Sequence, residues 1–173
     1  MNKIIFLDRD GTINEGVGYL SDPDKFEFLP NAIEGLQLMQ EKGYTLNIVT
    51  NQSGISRKIH SIEDYEKVNK YMLKKLRENN IYIDNVFYCP HKPESYCKCR
   101  KPKTGMVKKY MKNISPKDCY VIGDKTSDMR FGEILKVKTI LVLTGEAGRD
   151  RLYKTIHNYV ADDLLDAARN ILK

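Results

Sequence analysis

Asp8 and Asp10 stand one residue apart, are followed by Gly11, and close an apolar run, Ile4 to Leu7, of strand length. A buried strand that ends in two carboxylates places costly charges where ligands meet a sheet. Acids this close repel one another unless a cation lies between them, and oxygen ligands of this kind suit Mg²⁺. One carboxylate can then act as a nucleophile and the other as an acid and base. The competing explanation is a turn rich in Asp and Gly. The pair alone does not exclude it.

A second constellation is Cys89, His91, Cys97 and Cys99. Three thiols and an imidazole within eleven residues form a Cys₃His set suited to tetrahedral Zn²⁺. Four protein ligands leave no open position, so such a site is structural. Unligated cysteines are the alternative. Pro90 and Pro93 stiffen the loop, and Arg100 and Lys101 follow it directly. A pinned loop could hold those cations over a phosphate at little entropic cost. Cys119 falls in a strand candidate and reads as a buried hydrophobe.

Elements that could position these groups alternate along the chain. Strand candidates are Lys3 to Leu7, Thr45 to Val49, Asn85 to Tyr88, Cys119 to Ile122 and Thr139 to Leu143. Helix candidates are Asn31 to Lys42, Ile62 to Asn79, Thr104 to Lys112, Ser127 to Leu135 and about Asp163 to Leu172. Gly43 and Asn79-Asn80 read as helix ends, and Ser61 with Asp64 as an N-cap. The alternation predicts a doubly wound, parallel α/β sheet between helical layers, with no linker and no second core. One domain over residues 1–173 is expected, with the zinc loop at 89–99.

In such a sheet ligands bind beyond the carboxyl ends of the strands. Four successive strand candidates are followed there by Asp8-Arg9-Asp10, Thr50-Asn51-Gln52-Ser53, Cys89-Pro90-His91 and Gly123-Asp124-Lys125. Each group has a place in phosphoryl transfer. Asp8 attacks phosphorus and Asp10 protonates the leaving oxygen, then activates water. Asp124 completes an Mg²⁺ site with Asp8 and the backbone carbonyl of Asp10. Thr50 holds a phosphoryl oxygen, although by itself it could equally be a helix cap. A lysine must supply further positive charge. Lys101 and Lys125 are the candidates, and Lys101 is given the catalytic place.

With these residues together, the chain resembles the haloacid dehalogenase (HAD) superfamily of phosphatases. Asp8-x-Asp10-Gly11-Thr12, Thr50-Asn51, a downstream Lys and Gly123-Asp124 with Asp128 nearby carry the resemblance. It implies a three-layer α/β/α, Rossmann-like, HAD-like fold. The intervals between motifs leave no room for a separate cap domain. Two cap-less groups carry such a zinc loop. One is similar to D-glycero-D-manno-heptose 1,7-bisphosphate 7-phosphatases of nucleotide-activated heptose and lipopolysaccharide biosynthesis. The other is similar to histidinol-phosphate phosphatases. Thr50 to Ile55, Arg57, Gly18-Tyr19 and Phe26-Glu27-Phe28 resemble the heptose group, whereas the short His91-to-Cys97 interval is found in both. The resemblance implies a substrate site lined by Gly16, Val17, Gly18, Tyr19, Thr50, Asn51, Gln52, Ser53, Arg100, Lys101 and Lys125. It leaves the anomer open.

Composition excludes other classes. The chain has 173 residues, 41% of them hydrophobic and 30% charged, as in an ordinary globular protein. No apolar run approaches the roughly 20 residues of a spanning helix, and the early strand argues against a secretory signal. The net charge of +6 is spread along helical stretches with no nucleic-acid motif, a polynucleotide phosphatase being the basic-chain alternative. The expected partner is a small phosphorylated sugar, with no nucleic acid and no membrane. A cytoplasmic monomer is expected. His60 and His157 read as solvent-facing, Lys108, Lys109 and Lys112 as a charged helical face, and Thr144-Gly145 as a turn.

Overall fold

The computed structural model describes residues 3–173. Its centre is β1 (Ile4–Leu7), four apolar residues that are all buried. Both edges of β1 are paired in parallel, Ile4 with Thr45 of β2 (Thr45–Asn51) and with Cys119 of β4 (Cys119–Gly123). The sheet continues outward through β3 (Ile83–Cys89) on one side. On the other side follow β5 (Lys138–Val142) and β6 (Tyr159–Ala161), giving the order β3-β2-β1-β4-β5-β6. The chain winds one way through β2 and β3, then crosses back to β4. The switch lies between β1 and β4, where a doubly wound sheet opens a crevice at its carboxyl edge.

Helices cover both faces. On one face, α1 (Ala32–Glu41) and α3 (Ile62–Glu78) pack with the C-terminal helix against Ile5, Leu7, Leu46, Ile48, Ile122 and Ile140. In α3, Tyr65, Val68, Met72 and Leu76 form the buried stripe that helical spacing requires. A reciprocal capping box starts this helix: Asp64 N–H donates to Ser61 Oγ at 3.1 Å, and Ser61 N–H to Asp64 Oδ2 at 3.2 Å. The other face carries α4 (Thr126–Leu135) and the segment 103–114 over Ile4, Phe6, Val49, Cys119 and Val121. This is the parallel α/β architecture expected from the alternation. No helix among the described residues is long and apolar enough to cross a membrane.

Several expectations need correction. Thr104 to Lys112 is not a helix but a series of turns leading into a 3₁₀ turn, Tyr110–Asn113. Gly105 N–H is tied back to the Lys98 carbonyl at 3.0 Å, which holds the start of this segment on the cysteine loop. Lys108, Lys109 and Lys112 are exposed without forming a helical face. A sixth strand, β6, adds to the five expected; Tyr159 and Val160 are exposed, so it shows no core periodicity. A short α2 (Ser53–Ser56) follows β2. The last helix is α5 (Leu164–Asp166), which widens into a π-helical turn over Ala167–Ile171, closed by Leu172 N–H on the Ala167 carbonyl. His60 is buried rather than solvent-facing, because its ring packs against Gly54 of α2; His157 is exposed.

The α1–α5 contact generates a stability prediction. An alanine inside a helix normally gains up to about 1 kcal/mol over glycine. At Gly35 a Cβ would lie 2.6 Å from the Leu164 carbonyl carbon and 2.7 Å from the Leu165 nitrogen. Backbone atoms cannot rotate aside, so the clash decides the sign. Gly35→Ala should destabilise by about 1–3 kcal/mol, read as a lower urea midpoint at unchanged m value. An unchanged or raised midpoint would show that the two helices do not approach this closely.

Candidate active site

Asp8 leaves β1 at the crevice. Its N–H still belongs to the sheet, donating to the Ile122 carbonyl of β4 at 2.9 Å. The next peptide turns back on it: Arg9 N–H donates to Asp8 Oδ1 at 2.8 Å. The Arg9 carbonyl then accepts from the N–H groups of Thr12, Ile13 and Asn14, which closes the turn. Gly11 is required there. Its φ of +87° lies in the left-handed region, and a Cβ would collide with Asp124 Oδ2. Gly145, at φ +52°, is crowded against the same oxygen and against the Gly11 backbone.

Two lysines and three carboxylates meet in this crevice. The ammonium of Lys101 lies 2.9 Å from Asp8 Oδ1 and 2.6 Å from Asp128 Oδ1, and all three side chains are buried. It also donates to the Val49 carbonyl at the end of β2. The ammonium of Lys125 lies 3.6 Å from Asp8 Oδ2 and 3.3 Å from Asp124 Oδ1, and donates to the Asp10 carbonyl at 3.1 Å. Burial opposes ionisation of Asp8, but the positive charges of Lys101 and Lys125 hold its pKa below the ordinary carboxylate value. Asp124 is pushed up to about 6, first by burial and then by the charge of Asp8. Asp128 is pushed up to about 7, again mainly by burial. Burial would lower the pKa of Lys101, but Asp128 and Asp8 outweigh it and raise the value.

Three carboxylates facing two ammonium groups leave this cluster one positive charge short. The oxygens of Asp8, Asp124 and Asp128 all lie within 4.8 Å of one another, as metal ligands would. The donors are hard oxygens, and Lys125 already engages the three expected to hold Mg²⁺: Asp8, Asp124 and the Asp10 carbonyl. Asp10 thus enters by its backbone alone. Its carboxylate turns away, held by Arg9, by Asn14 Nδ2 at 3.1 Å and by Gln52 Nε2 at 2.8 Å. The cluster fits a magnesium ion by donor type, charge and the space the two glycines leave.

The expected site residues converge. A cavity of about 740 Å³ is lined by Asp8, Asp10, Gly16, Gly18, Tyr19, Thr50 to Ser53, Arg100, Lys101, Asp124 and Lys125. Val17 is the exception: it is exposed beside the cavity without lining it. Thr50 ends up inside β2 rather than capping a helix, buried, and accepts from Gln52 Nε2 at 2.9 Å. Asn51 bridges to the lysine loop in both directions, donating to the Lys101 carbonyl at 3.2 Å and accepting from Lys101 N–H at 3.0 Å. Sequence reasoning missed the segment after β5. Thr144 Oγ1 donates to the Gly11 carbonyl at 2.7 Å, and Glu146 N–H to Asp124 Oδ2 at 2.8 Å. Leu152 and Tyr153 also line the cavity. Thr144-Gly145 was the sole signal in that stretch.

The cysteine set also assembles. Cys99 Sγ lies 3.2 Å from Cys89 Sγ and from His91 Nδ1; Cys89 Sγ lies 3.7 Å from Cys97 Sγ and 3.6 Å from His91 Nδ1. Ligands about 2.3 Å from a tetrahedral metal stand about 3.7 Å apart, so the set matches a closed metal site. The four cysteines of the chain are free, with no disulfide. Arg100 Nη1 donates to the His91 carbonyl at 3.2 Å, so the loop carries Arg100 to the cavity wall.

Known proteins resemble the chain over nearly its whole length. A HAD-hydrolase-like family model matches residues 98–167. The D-glycero-beta-D-manno-heptose-1,7-bisphosphate 7-phosphatase of Pasteurella multocida (strain Pm70) is 40% identical over 180 residues, covering 99% of this chain and 97% of that protein. The D-glycero-alpha-D-manno-heptose-1,7-bisphosphate 7-phosphatase of Photorhabdus laumondii is 37% identical over 153 residues, covering 83% and 84%. The crystal structure of D,D-heptose 1,7-bisphosphate phosphatase from B. bronchiseptica, complexed with magnesium and phosphate, superimposes with a TM-score of 0.88 at 26% identity, covering 96% of both chains.

The charge imbalance makes the site's cation measurable. Mg²⁺ at a hundredfold excess over its Kd should stabilise the fold by about 2.7 kcal/mol, read as a thermal shift that Na⁺ does not reproduce. Asp124→Asn should lose most of it. Below the Asp124 pKa of about 6 the ion must displace a proton, so the shift should shrink as pH falls through that value. A shift independent of both Asp124 and pH would place the ion elsewhere.

Proposed function

This chain belongs to the HAD-superfamily phosphatases closely related to the D-glycero-D-manno-heptose-1,7-bisphosphate 7-phosphatases, and on that premise we propose that it removes the 7-phosphate of a heptose 1,7-bisphosphate. The observation that carries the chemistry is the pairing of buried Asp8 with Lys101 and Lys125, beside an independently held Asp10. Lys101 and Lys125 keep Asp8 ionised at neutral pH, which a nucleophile requires. A carboxylate oxygen of Asp8 forms the new bond to phosphorus as the bond to the C7 oxygen breaks. That oxygen takes a proton from Asp10, and the sugar leaves. Asp10 then accepts a proton from water, whose oxygen attacks the same phosphorus. Phosphate departs and Asp8 is regenerated.

Thr50 and the N–H groups after it hold phosphoryl oxygens during both steps, and Lys101 offsets the charge beside Asp8. Mg²⁺, held by Asp8, Asp124 and the Asp10 carbonyl, supplies charge neutralisation for the phosphoryl group. Gly16, Gly18 and Tyr19 with Asn51 to Ser53 form the wall against the sugar. The Cys89, His91, Cys97 and Cys99 set holds a structural Zn²⁺, supported by four ligands of the preferred type at matching separations. Free thiols so arranged are consistent with a reducing, cytoplasmic setting.

The substrate reading is tested with both anomers of heptose 1,7-bisphosphate, simple monophosphates and histidinol phosphate, Asp8→Asn serving as the inactive control. The bisphosphates should be preferred, with heptose 1-phosphate as product. Arg100 offers its guanidinium to the second phosphate. A charge-assisted contact is worth about 1.5–3 kcal/mol, so Arg100→Ala should cost about one to two decades in kcat/KM on the bisphosphate and little on a monophosphate. A preference for histidinol phosphate would refute the assignment.

The metal loop is tested by elemental analysis. One zinc per chain is expected after purification without chelator, alongside a separate, exchangeable Mg²⁺ requirement. Cys97→Ser should raise KM or lower kcat by displacing Arg100 and Lys101. Zinc-free protein with four reduced ligands would exclude the structural site.

A further inference from the structure

Between the two catalytic aspartates stands Arg9, whose side chain is fully buried. Burying a guanidinium costs several kcal/mol unless its partners are well placed. Its partner is Asp10. Arg9 Nε donates to Asp10 Oδ1 at 3.1 Å, and Nη2 lies 2.9 Å from both Oδ1 and Oδ2. The rest of the guanidinium lies against an aromatic ring. Its central carbon is 5.6 Å from the centre of the Tyr65 ring, which lies 4.5 Å from the Tyr88 ring. Nη1 and the Tyr65 hydroxyl find no hydrogen-bond partner among the described residues. The fork therefore has nothing to engage but Asp10, and the packing of α3 prevents it from swinging away.

The backbone of the same residue holds the other half of the site. Arg9 N–H donates to the nucleophile Asp8, and its carbonyl closes the turn that carries Asp10. We propose that Arg9 is a positioning residue for proton transfer: its buried fork fixes the carboxylate of Asp10 in the orientation from which it reaches the leaving oxygen. On the cavity side Gln52 contributes a single donor to Asp10, and that amide is shared with Thr50. Gln52 is thus the partner that can yield when the leaving oxygen arrives, while Arg9 keeps the carboxylate aimed. The inference rests on the phosphatase reading above, with Asp10 as the acid. It differs from a merely structural ion pair in one respect: its loss must weigh on leaving groups that need a proton.

The test compares kcat/KM, which reports cleavage of the ester bond, for two substrates of the Mg²⁺-loaded enzyme. The sugar bisphosphate releases heptose 1-phosphate through an alkoxide that needs protonation, whereas p-nitrophenyl phosphate releases a stable phenolate. Arg9→Met should lower kcat/KM about a hundredfold on the first and less than about fivefold on the second, at an unchanged Mg²⁺ activation constant. Arg9→Lys keeps the charge without the fork and should show the same imbalance in weaker form, so it carries the comparison if the methionine variant does not fold. Equal losses on both substrates, or no loss on either, would overturn the proposal. Asp10→Asn measured beside them separates the two levels. If it discriminates between substrates and the Arg9 variants do not, this inference alone fails. If it does not discriminate, the acid assignment fails and the inference with it.

Discussion

The structure depends on concentrating like charge at one point of a sheet and holding it there. Asp8 and Asp124 end adjacent parallel strands, and Asp128 opens the helix after β4, so topology alone drives three carboxylates together. Repulsion at such distances in a buried setting is severe. Two cations answer it, one local and one distant. Lys125 comes from the turn after β4, and Lys101 from the far end of the cysteine loop. The pairing is mutual. The buried Lys101 would be as costly alone as the carboxylates are without it.

This requirement gives the cysteine loop a purpose beyond covering an edge. Lys101 must cross from beside β3, at the sheet margin, to a point under β1. Its backbone is tied to β2 through both ends of the Asn51 amide, and its ammonium to the carbonyl of Val49. Upstream, Cys99 sits in the four-residue ligand set, two residues before Lys101. The lysine is therefore anchored on both sides. A loop so polar has almost no apolar surface to bury, and the metal proposed for its four ligands would supply the ordering that hydrophobic packing does not.

Much of this was legible in the sequence, and the reasons are local. Asp8, Asp10, Thr50 and Asp124 each follow an apolar run that reads as a buried strand, so strand ends locate them. Cys89, His91, Cys97 and Cys99 are close in sequence, where ligand spacing is informative. What escaped depends on distant partners. His60 lies in a polar stretch, and nothing local shows that Gly54 leaves space for its ring. β6 is short, with two of three residues exposed, and forms because β5 offers an edge. Thr104 to Lys112 has helical composition, but Gly105 is tied to Lys98, and that tertiary bond overrides propensity. Nothing local to Arg9 shows that it is buried, because the ring its guanidinium lies against is that of the distant Tyr65.

The charge arrangement also sets an order on binding. When Asp8, Asp124 and Asp128 are all ionised, the cluster of three carboxylates and two lysines carries one net negative charge. A phosphate dianion entering that field would be repelled, and the low dielectric of a buried crevice would make the repulsion stronger. A divalent cation reverses the sign, and the same crevice then attracts a phosphoryl group. In that ionisation state the ion precedes or accompanies the substrate. The burial that raises the Asp124 and Asp128 pKa values is what makes the site discriminate: without the cation these acids tend toward neutrality, and with it they ionise. Nucleophile, acid and phosphate cradle are thus brought into register by one electrostatic condition, set where β1 and β4 part.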